Sequence, residues 1–218
     1  MEIGTIGAGD FAQAFAKRAL KAGHKVKLSN SRGPESLREI VNQLGPGAMA
    51  AATEEAVACE VVLLAVPWDN VPETLASLPT WKNQILIDGT NPFHGKAGTF
   101  KPADVGNLST SQLVAALAPG ARVVKALNNM TVPNLAADPV VNGARRVAFV
   151  SADDDGAKKR RATNNRRGIR TLAAANLCCV CASSSLRNEN AECYTGGAGR
   201  LLTHSLIPRR GAGVAEQG

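Results

Sequence analysis

This chain of 218 residues has no long hydrophobic run, no stretch typical of a secretion signal, and a single cysteine before residue 178. Each of these features argues against a class of protein. No apolar run approaches the roughly 18 residues that a membrane-spanning helix needs, so we expect no membrane segment. The first residues include neither a basic nor a long apolar stretch, so we expect no secretory signal and a cytoplasmic location. Only Cys59 precedes residue 178, which argues against a disulfide framework.

The positive charge of the chain is concentrated in its last sixty residues. Residues 1–158 hold 15 Lys and Arg against 15 Asp and Glu, whereas residues 159–218 hold 10 against 3 and so carry the whole formal charge of +7. Basic surfaces bind nucleic acid through phosphate contacts. The basic segment has Tyr194 as its single aromatic residue for base stacking. We therefore predict no dedicated nucleic-acid site.

Short apolar runs alternate with helix-like segments, the pattern that predicts a parallel sheet with helices on both faces. The predicted strands are 2–6, 25–28, 48–51, 61–66, 85–88, 122–126 and 146–151. The predicted helices are 10–22, 34–44, 53–58, 71–78 and 109–117. The fold class is therefore α/β, a doubly wound and mostly parallel sheet of the Rossmann type, over residues 1–158.

The first predicted strand runs through Gly-x-Gly-x-x-Ala, residues 7–12, directly into an amphipathic helix. In a dinucleotide site, Gly7 permits the tight turn, Gly9 lets the backbone approach a pyrophosphate, and Ala12 lets the helix pack on its strand. The free amides at the helix start, around Asp10 and Phe11, would face the phosphates. Because strand and helix flank the motif as required, it predicts a dinucleotide site more strongly than a plain glycine turn.

The end of the second strand indicates which dinucleotide is bound. An acid there would accept hydrogen bonds from the ribose 2′-hydroxyl of NAD, but the sequence has Ser31 and Arg32 instead. A guanidinium suits a 2′-phosphate, so NADP is the predicted cofactor; the alternative is a solvated loop arginine.

Two further strands end in loops that are expected to line the same crevice. One runs through Val66 into Pro-Trp-Asp, and the other into Asp-Gly-Thr followed by Asn91 and Pro92. We expect these loops to flank the nicotinamide ribose, with Asn91 bonding it through its side chain. The alternative is that the prolines merely end the strands.

These motifs together resemble the coenzyme F420-dependent NADP oxidoreductases. The similarity rests on the glycine loop, Ser31–Arg32, AVPW at 65–68 and VVKAL at 123–127, and it continues to SADDD at 151–155. It implies an NADP-binding Rossmann domain, about residues 1–158, that positions nicotinamide against a deazaflavin or flavin-type substrate for hydride transfer, and a homodimer. By position it implies that the pyrophosphate side is held by Ala8, Gly9, Asp10 and Phe11, the 2′-phosphate by Ser31 and Arg32, and the nicotinamide side by Val66 and Asn91. The sequence departs from the family in one respect: the further cations expected near the 2′-phosphate are not evident after Arg32, and Arg38 is the candidate substitute for them.

Hydride exchange between two cofactor rings needs no nucleophile or metal from the protein, so we assign no catalytic residue and no metal ligand. His94 follows the second loop, where it would serve a carbonyl substrate as an acid or be an exposed loop histidine. Lys125, at a strand end, would touch substrate or have a structural role.

The resemblance stops after Lys158, where charge, arginine content and cysteine content change together. Residues 159–167 show no clear helical or strand period, and the likeness to the family does not continue through residue 218. We interpret residues 159–218 as an atypical basic, cysteine-rich tail that arose from a frame shift near codon 158 and is poorly ordered; a genuine lineage-specific tail is the alternative. A zinc site formed by Cys178, Cys179 and Cys181 together with Cys193 or His204 is a weaker hypothesis. If the tail leaves the substrate pocket incomplete, the chain is an NADP-binding module without turnover.

Overall fold

A ten-stranded sheet forms the centre of the protein in the computed structural model, which describes residues 1–95, 98–141, 144–152, 179–183, 191–194 and 202–204. Its strand order is β14-β13-β12-β11-β8-β5-β4-β1-β2-β3. The strands are β1 Glu2–Ile6, β2 Lys25–Ser29, β3 Ala48–Ala50, β4 Val61–Leu64, β5 Ile85–Asp88, β6 Phe93–His94, β7 Lys101–Pro102, β8 Arg122–Ala126, β9 Val140–Val141, β10 Ala144–Arg145, β11 Val147–Ser151, β12 Cys179–Ser183, β13 Ala191–Tyr194 and β14 Leu202–His204. Two hairpins, β6–β7 and β9–β10, lie outside this sheet.

The six neighbouring strands β3, β2, β1, β4, β5 and β8 are parallel to one another. The strands on the other side of β8 include antiparallel pairs. β11 pairs antiparallel with β8, β12 is parallel to β11, and β13 and β14 are again antiparallel. When these six parallel strands are numbered by themselves along the chain, their order in the sheet is 3-2-1-4-5-6. This is the order of a doubly wound dinucleotide-binding sheet.

In the described residues, six helices connect and cover the strands. They are α1 Asp10–Lys21, α2 Arg38–Leu44, α3 Thr53–Val57, α4 Val71–Ala76, α5 Thr110–Leu117 and α6 Val132–Ala136. Short 3₁₀ turns at Pro34–Leu37 and Trp68–Asn70 precede α2 and α4. None of the helices in the described part of the chain has the length and apolar content needed to cross a bilayer.

Hydrophobic side chains cover both faces of the sheet, which is why the central strands are apolar throughout. On one face, Phe15 of α1 and Leu135 of α6 pack with Ile3 and Ile87. On the other face, residues of α4 and α5 pack on β4 and β5 around Trp81. Every residue of β4 and β5 is buried, as expected for strands covered on both sides.

Helices α1 and α6 are also joined by a polar contact. Arg18 is buried, and its Nε donates a hydrogen bond to the Leu135 carbonyl oxygen at 3.0 Å. A buried guanidinium is stable only when it is hydrogen-bonded, so this bond fixes the position of α6 against α1.

The α/β doubly wound fold predicted from the sequence is confirmed, and all seven predicted strands are present with bounds that differ by at most two residues. The five predicted helices are present as well, although a 3₁₀ turn forms the start of the second one. The sequence pattern missed α6, both hairpins and the strands β12, β13 and β14.

The division at residue 158 and the frame-shift hypothesis stay predictions. The basic cluster at 159–167, the SADDD residues from Asp153 onward and Cys178 lie outside the described residues.

Candidate functional site

The candidate site lies at the carboxyl edge of the parallel strands, where chain order reverses between β1 and β4. Ligands of open α/β sheets bind at such a switch point. Four loops meet there: residues 7–10 after β1, 30–33 after β2, 65–70 after β4 and 89–95 after β5.

Gly7 is required by the protein itself. Its φ is +102°, a conformation that side chains other than glycine rarely adopt. A β-carbon at this position would lie 2.3 Å from the Ala65 carbonyl oxygen and 3.3 Å from Cγ1 of Val66. Its amide donates to the Ser29 carbonyl oxygen at 3.0 Å. Gly7 therefore brings the loops after β1, β2 and β4 into contact.

At Gly9, in contrast, neither the backbone conformation nor the packing of the described residues requires a glycine. Its φ is −71°, and a β-carbon there would meet no heavy atom of the described residues within 4 Å. It is the N-cap of α1, and no side chain of the described residues caps this helix end. The first amides of α1 are therefore free to bind an anion in the open space beside Gly9, with the positive end of the helix dipole behind them.

Several contacts hold the first turn of α1 in place, and some of them involve residues outside the glycine motif. Ala12 is fully buried, as its role in helix packing requires. A β-carbon at Gly89 would lie 2.6 Å from Cε1 of Phe11, so the Phe11 ring contacts the loop after β5. Gln13 donates from Nε2 to the Ala8 carbonyl oxygen at 3.0 Å. The glycine loop is thus fixed before any ligand binds.

Asn30 organises the loop after β2. Its Oδ1 accepts a hydrogen bond from the Arg32 amide at 3.0 Å, and its side-chain amide donates to Ser36 Oγ at 3.0 Å. Ser36 in turn donates to the Gly33 carbonyl oxygen at 2.7 Å. This network constrains the backbone at Arg32 while its side chain stays exposed.

The guanidinium of Arg32 forms no ion pair with any residue that the structure describes. Ser31, next to it, is exposed too. Arg38, the substitute cation, is exposed but pairs with Glu35. Arg32 is therefore better placed than Arg38 to offer its full charge to a phosphate.

Asn91 links two loops at the other end of the site. Its Nδ2 donates to the Asn128 carbonyl oxygen at 2.8 Å, which leaves Oδ1 without a partner among the described residues. The Asn128 carbonyl is presented by a turn in which the buried Leu127 has a φ of +66°. A bulky residue in this conformation is strained, and such strain is concentrated at functional sites.

Lys125 has the structural role that the sequence left open. Its Nζ lies 2.9 Å from Asp88 Oδ2 and donates to the Thr90 carbonyl oxygen at 2.6 Å. Asp88 Oδ1 also accepts from the Thr90 amide at 3.0 Å and the Thr90 hydroxyl at 2.6 Å. This buried cluster supports the loop that carries Asn91.

His94 is exposed, as the loop-histidine interpretation expected, but it does not stand alone. Its Nδ1 pairs with Oδ1 of Asp69, and the Gly95 amide approaches Asp69 Oδ2 at 3.5 Å. The hydrogen bond from His94 lowers the pKa of Asp69 below its usual range, with a smaller contribution from the Gly95 amide. The pair joins the loop after β4 to the β6–β7 hairpin.

The same hairpin carries an exposed aromatic pair. The rings of Phe93 and Phe100 lie 5.8 Å apart at an angle of 34°, and the two side chains stay 41% and 57% exposed. The two rings therefore leave apolar surface open to solvent next to the loop that carries Asn91.

These four loops fit an NADP-type dinucleotide. The space beside Gly9 and the uncapped amides of α1 suit a pyrophosphate, and the exposed guanidinium of Arg32 suits a further phosphate. No cluster of metal-ligating side chains occurs in the part of the chain that the structure describes.

Comparison with known proteins supports this interpretation of the amino-terminal part. Residues 2–92 match the sequence model of the family described as NADP oxidoreductase, coenzyme F420-dependent. The match covers 91 of the 218 residues, so it is a similarity of the amino-terminal part. The match includes the loops after β1, β2 and β4, and it ends just after Asn91.

Two solved structures resemble the chain over a longer stretch. A hypothetical protein, SMa0349 from Sinorhizobium meliloti, is 31% identical, with 84% of this chain and 86% of that one covered and a TM-score of 0.72. A protein from Arthrobacter sp. FB24 assigned as an F420-dependent NADP reductase is 24% identical, with 81% and 80% covered and a TM-score of 0.61. The second likeness shows the fold.

Among curated proteins, the chain is similar to the metalloreductase STEAP3 of Rattus norvegicus. The two are 30% identical over 139 residues, which is 63% of this chain. The chain spans about a quarter, 26%, of the length of that relative.

Proposed function

We propose that this protein is an NADP-dependent oxidoreductase that transfers a hydride between NADP(H) and a deazaflavin of the coenzyme F420 type. The observation that carries the proposal is Gly9. The fold does not need a glycine there, whereas a phosphate that approaches the amides of α1 does. The family whose sequence model matches residues 2–92 supports both the dinucleotide and the acceptor.

In this proposal the chain binds the dinucleotide along the carboxyl edge of the sheet. The amides around Asp10 and Phe11 hold the pyrophosphate beside Ala8 and Gly9, and Arg32 holds the 2′-phosphate with Ser31. Because the adenosine half lies toward β2, the nicotinamide half extends in the other direction, over the loops that carry Val66 and Asn91. The bound dinucleotide supplies the hydride; the protein supplies orientation and exclusion of water.

The acceptor in this proposal is a planar aromatic ring. The exposed Phe93–Phe100 pair supports such a substrate because aromatic rings stack favourably on one another. It stands on the hairpin that directly follows the nicotinamide-side loop. Flavins are also planar and are one class of alternative acceptor. A ferric complex is the other, because the chain is similar to a metalloreductase.

The test is a pair of measurements on the full chain. Calorimetric titration with NADPH and with NADH is expected to show tighter binding of NADPH, and stopped-flow absorbance is expected to show NADPH oxidation when a deazaflavin is added. Equal affinity for the two dinucleotides would contradict the cofactor assignment. Tight NADPH binding without oxidation by a deazaflavin, flavin or ferric acceptor would identify a binding module instead of an enzyme.

A further inference from the structure

His94 and Asp69 form the one contact in the described residues between a histidine and a carboxylate. The two residues lie close in sequence to both groups assigned to the nicotinamide side. Asp69 follows Val66 by three positions, and His94 follows Asn91 by three. The pair therefore stands where the loops after β4 and β5 meet.

The imidazole of His94 remains accessible despite this contact. Its Nδ1 is used by Asp69, whereas Nε2 has no partner among the described residues, and 54% of the side chain is exposed. A carboxylate that holds one ring nitrogen fixes the orientation of the imidazole and stabilises its protonated form. The other nitrogen is then a proton donor in a defined position.

The charges around His94 come from two directions. Asp69, on the 3₁₀ turn, attracts a positive charge on the imidazole. Lys101 is directly opposite His94 in the β6–β7 hairpin and repels such a charge. Among the described residues, these are the charged groups on the elements that contact His94.

We propose that His94 is the proton donor to the hydride acceptor and that Asp69 is its positioning residue. The inference rests on the proposed function and deepens it, because it specifies an acceptor that must take up a proton together with a hydride. Conjugated nitrogen heterocycles of the deazaflavin and flavin class meet that requirement, and a one-electron ferric acceptor does not.

The step balances in atoms and electrons. A C–H bond forms on the acceptor ring with the electron pair of the hydride, and the negative charge that results is delocalised onto a ring nitrogen. The Nε2–H bond of the His94 imidazolium breaks as an N–H bond forms on that nitrogen. The acceptor leaves with two electrons more, the dinucleotide leaves oxidised, and water returns a proton to the imidazole.

The first test needs no cofactor. In the full chain labelled with ¹³C, the carboxyl resonance of Asp69 is expected to titrate below the usual range, and to return to that range in His94→Gln. This result follows from the hydrogen bond that lowers the pKa of Asp69. An Asp69 that titrates normally in the native chain would show that the pair does not form, and would overturn the proposal.

The second test measures turnover with NADPH and a deazaflavin. His94→Gln is expected to lower kcat by about 100-fold, which is the lower end of the range for general-acid catalysis. The dissociation constant of NADPH is expected to stay within twofold, and unfolding curves are expected to coincide. In the native enzyme kcat is expected to depend on pH, and this dependence is expected to vanish in the variant.

Two further variants separate chemistry from structure. His94→Ala is expected to recover activity when free imidazole is added, which a purely structural histidine would not allow. Asp69→Asn is expected to lower kcat without raising KM. Glu2→Gln is the matched control, because it removes an exposed carboxylate from the Glu2–Lys27 ion pair at the opposite edge of the sheet, and it is expected to leave kcat unchanged.

The outcomes distinguish this inference from the proposed function. If the native enzyme oxidises NADPH and His94→Gln has the same kcat and pH profile, the proton-donor role is wrong while the function stands. If His94→Gln raises only KM, the histidine holds the hairpin and donates no proton. If the native chain transfers hydride to no acceptor, both proposals are wrong.

Discussion

The ammonium group of Lys125 lies 2.9 Å from the Asp88 carboxylate, so the carboxyl ends of β5 and β8 are joined by a buried ion pair. The Lys125 side chain is 12% exposed and that of Asp88 is fully buried. Thr90 completes the cluster through its hydroxyl, amide and carbonyl groups. The loop that carries Asn91 therefore starts from a fixed point.

Lys125→Met is expected to destabilise the protein by about 3 kcal/mol, because it leaves the Asp88 carboxylate buried without its cation. Urea unfolding would measure the loss. The double variant Lys125→Met with Asp88→Asn is expected to recover most of it, since the neutral amide can still accept from Thr90. A loss in the single variant no larger than about 0.5 kcal/mol, as at an ordinary surface position, would contradict the structural role of the pair.

Gly9→Ala is expected to weaken NADPH binding by at least about tenfold while changing the free energy of unfolding by less than about 1 kcal/mol. The added methyl group enters open space in the protein and occupies the position assigned to phosphate. Gly7→Ala is the matched comparison. Its β-carbon would meet the Ala65 carbonyl oxygen, so it is expected to lower stability. Calorimetric titration and thermal unfolding of both variants check the contrast, and equal stability losses would contradict it.

Arg32→Glu is expected to lower the affinity for NADPH by about 10- to 100-fold, the range for loss of hydrogen bonds to a charged group. Affinity for NADH is expected to change little, because NADH lacks the 2′-phosphate. Lys82→Glu makes the same charge change in the exposed loop before β5, at the far edge of the sheet. An equal loss in both variants would indicate a general charge effect and no specific phosphate contact.

Cys59 makes the stability of the folded protein depend on pH in the alkaline range. Burial raises the pKa of its thiol above the ordinary value of 9.0, and the cation of Lys27 only partly opposes this shift. The unfolded chain therefore loses the thiol proton at a lower pH than the folded one, and stability falls as pH rises above about 9. Denaturant unfolding between pH 8 and about 10.5 is expected to show a shallower decline in Cys59→Ala. Parallel curves for the two proteins would contradict the assignment.

Phe100→Ala is expected to raise KM for the deazaflavin by about 3- to 10-fold, which corresponds to the energy of one aromatic contact. Its effect on NADPH affinity is expected to be small, because no dinucleotide contact is assigned to it. Leu117→Ala is the control, since it removes an exposed apolar side chain at the end of α5, away from the site. Steady-state kinetics with varied deazaflavin would show the difference, and an unchanged KM would remove the aromatic pair from the acceptor site.

The fold was predictable because most of its strands and helices are encoded by short stretches of consecutive residues. Strands such as β4 and β5 are buried on both faces and therefore consist almost entirely of apolar residues. The glycine loop was predictable for the same reason, since its turn and the following helix are encoded by consecutive residues. Arg32 was found through the absence of an acid at one strand end.

The contacts between loops were not predictable from local patterns. Asp69 and His94 are 25 positions apart, and Lys125 and Asp88 are 37 apart. Such pairs depend on which strand ends are neighbours, and a single sequence does not specify that order. The two-residue strands of the β6–β7 hairpin and the five residues of α6 are too short to show a period.

The hydrogen bond from Arg18 to the Leu135 carbonyl spans 117 positions of the chain, and this separation bears on biosynthesis. Arg18 emerges from the ribosome long before its acceptor is translated. A fragment that ended at residue 92, where the family match ends, would contain the glycine loop but would leave this guanidinium unsatisfied and one side of α1 uncovered. A separately expressed nucleotide-binding region therefore has to extend beyond α6.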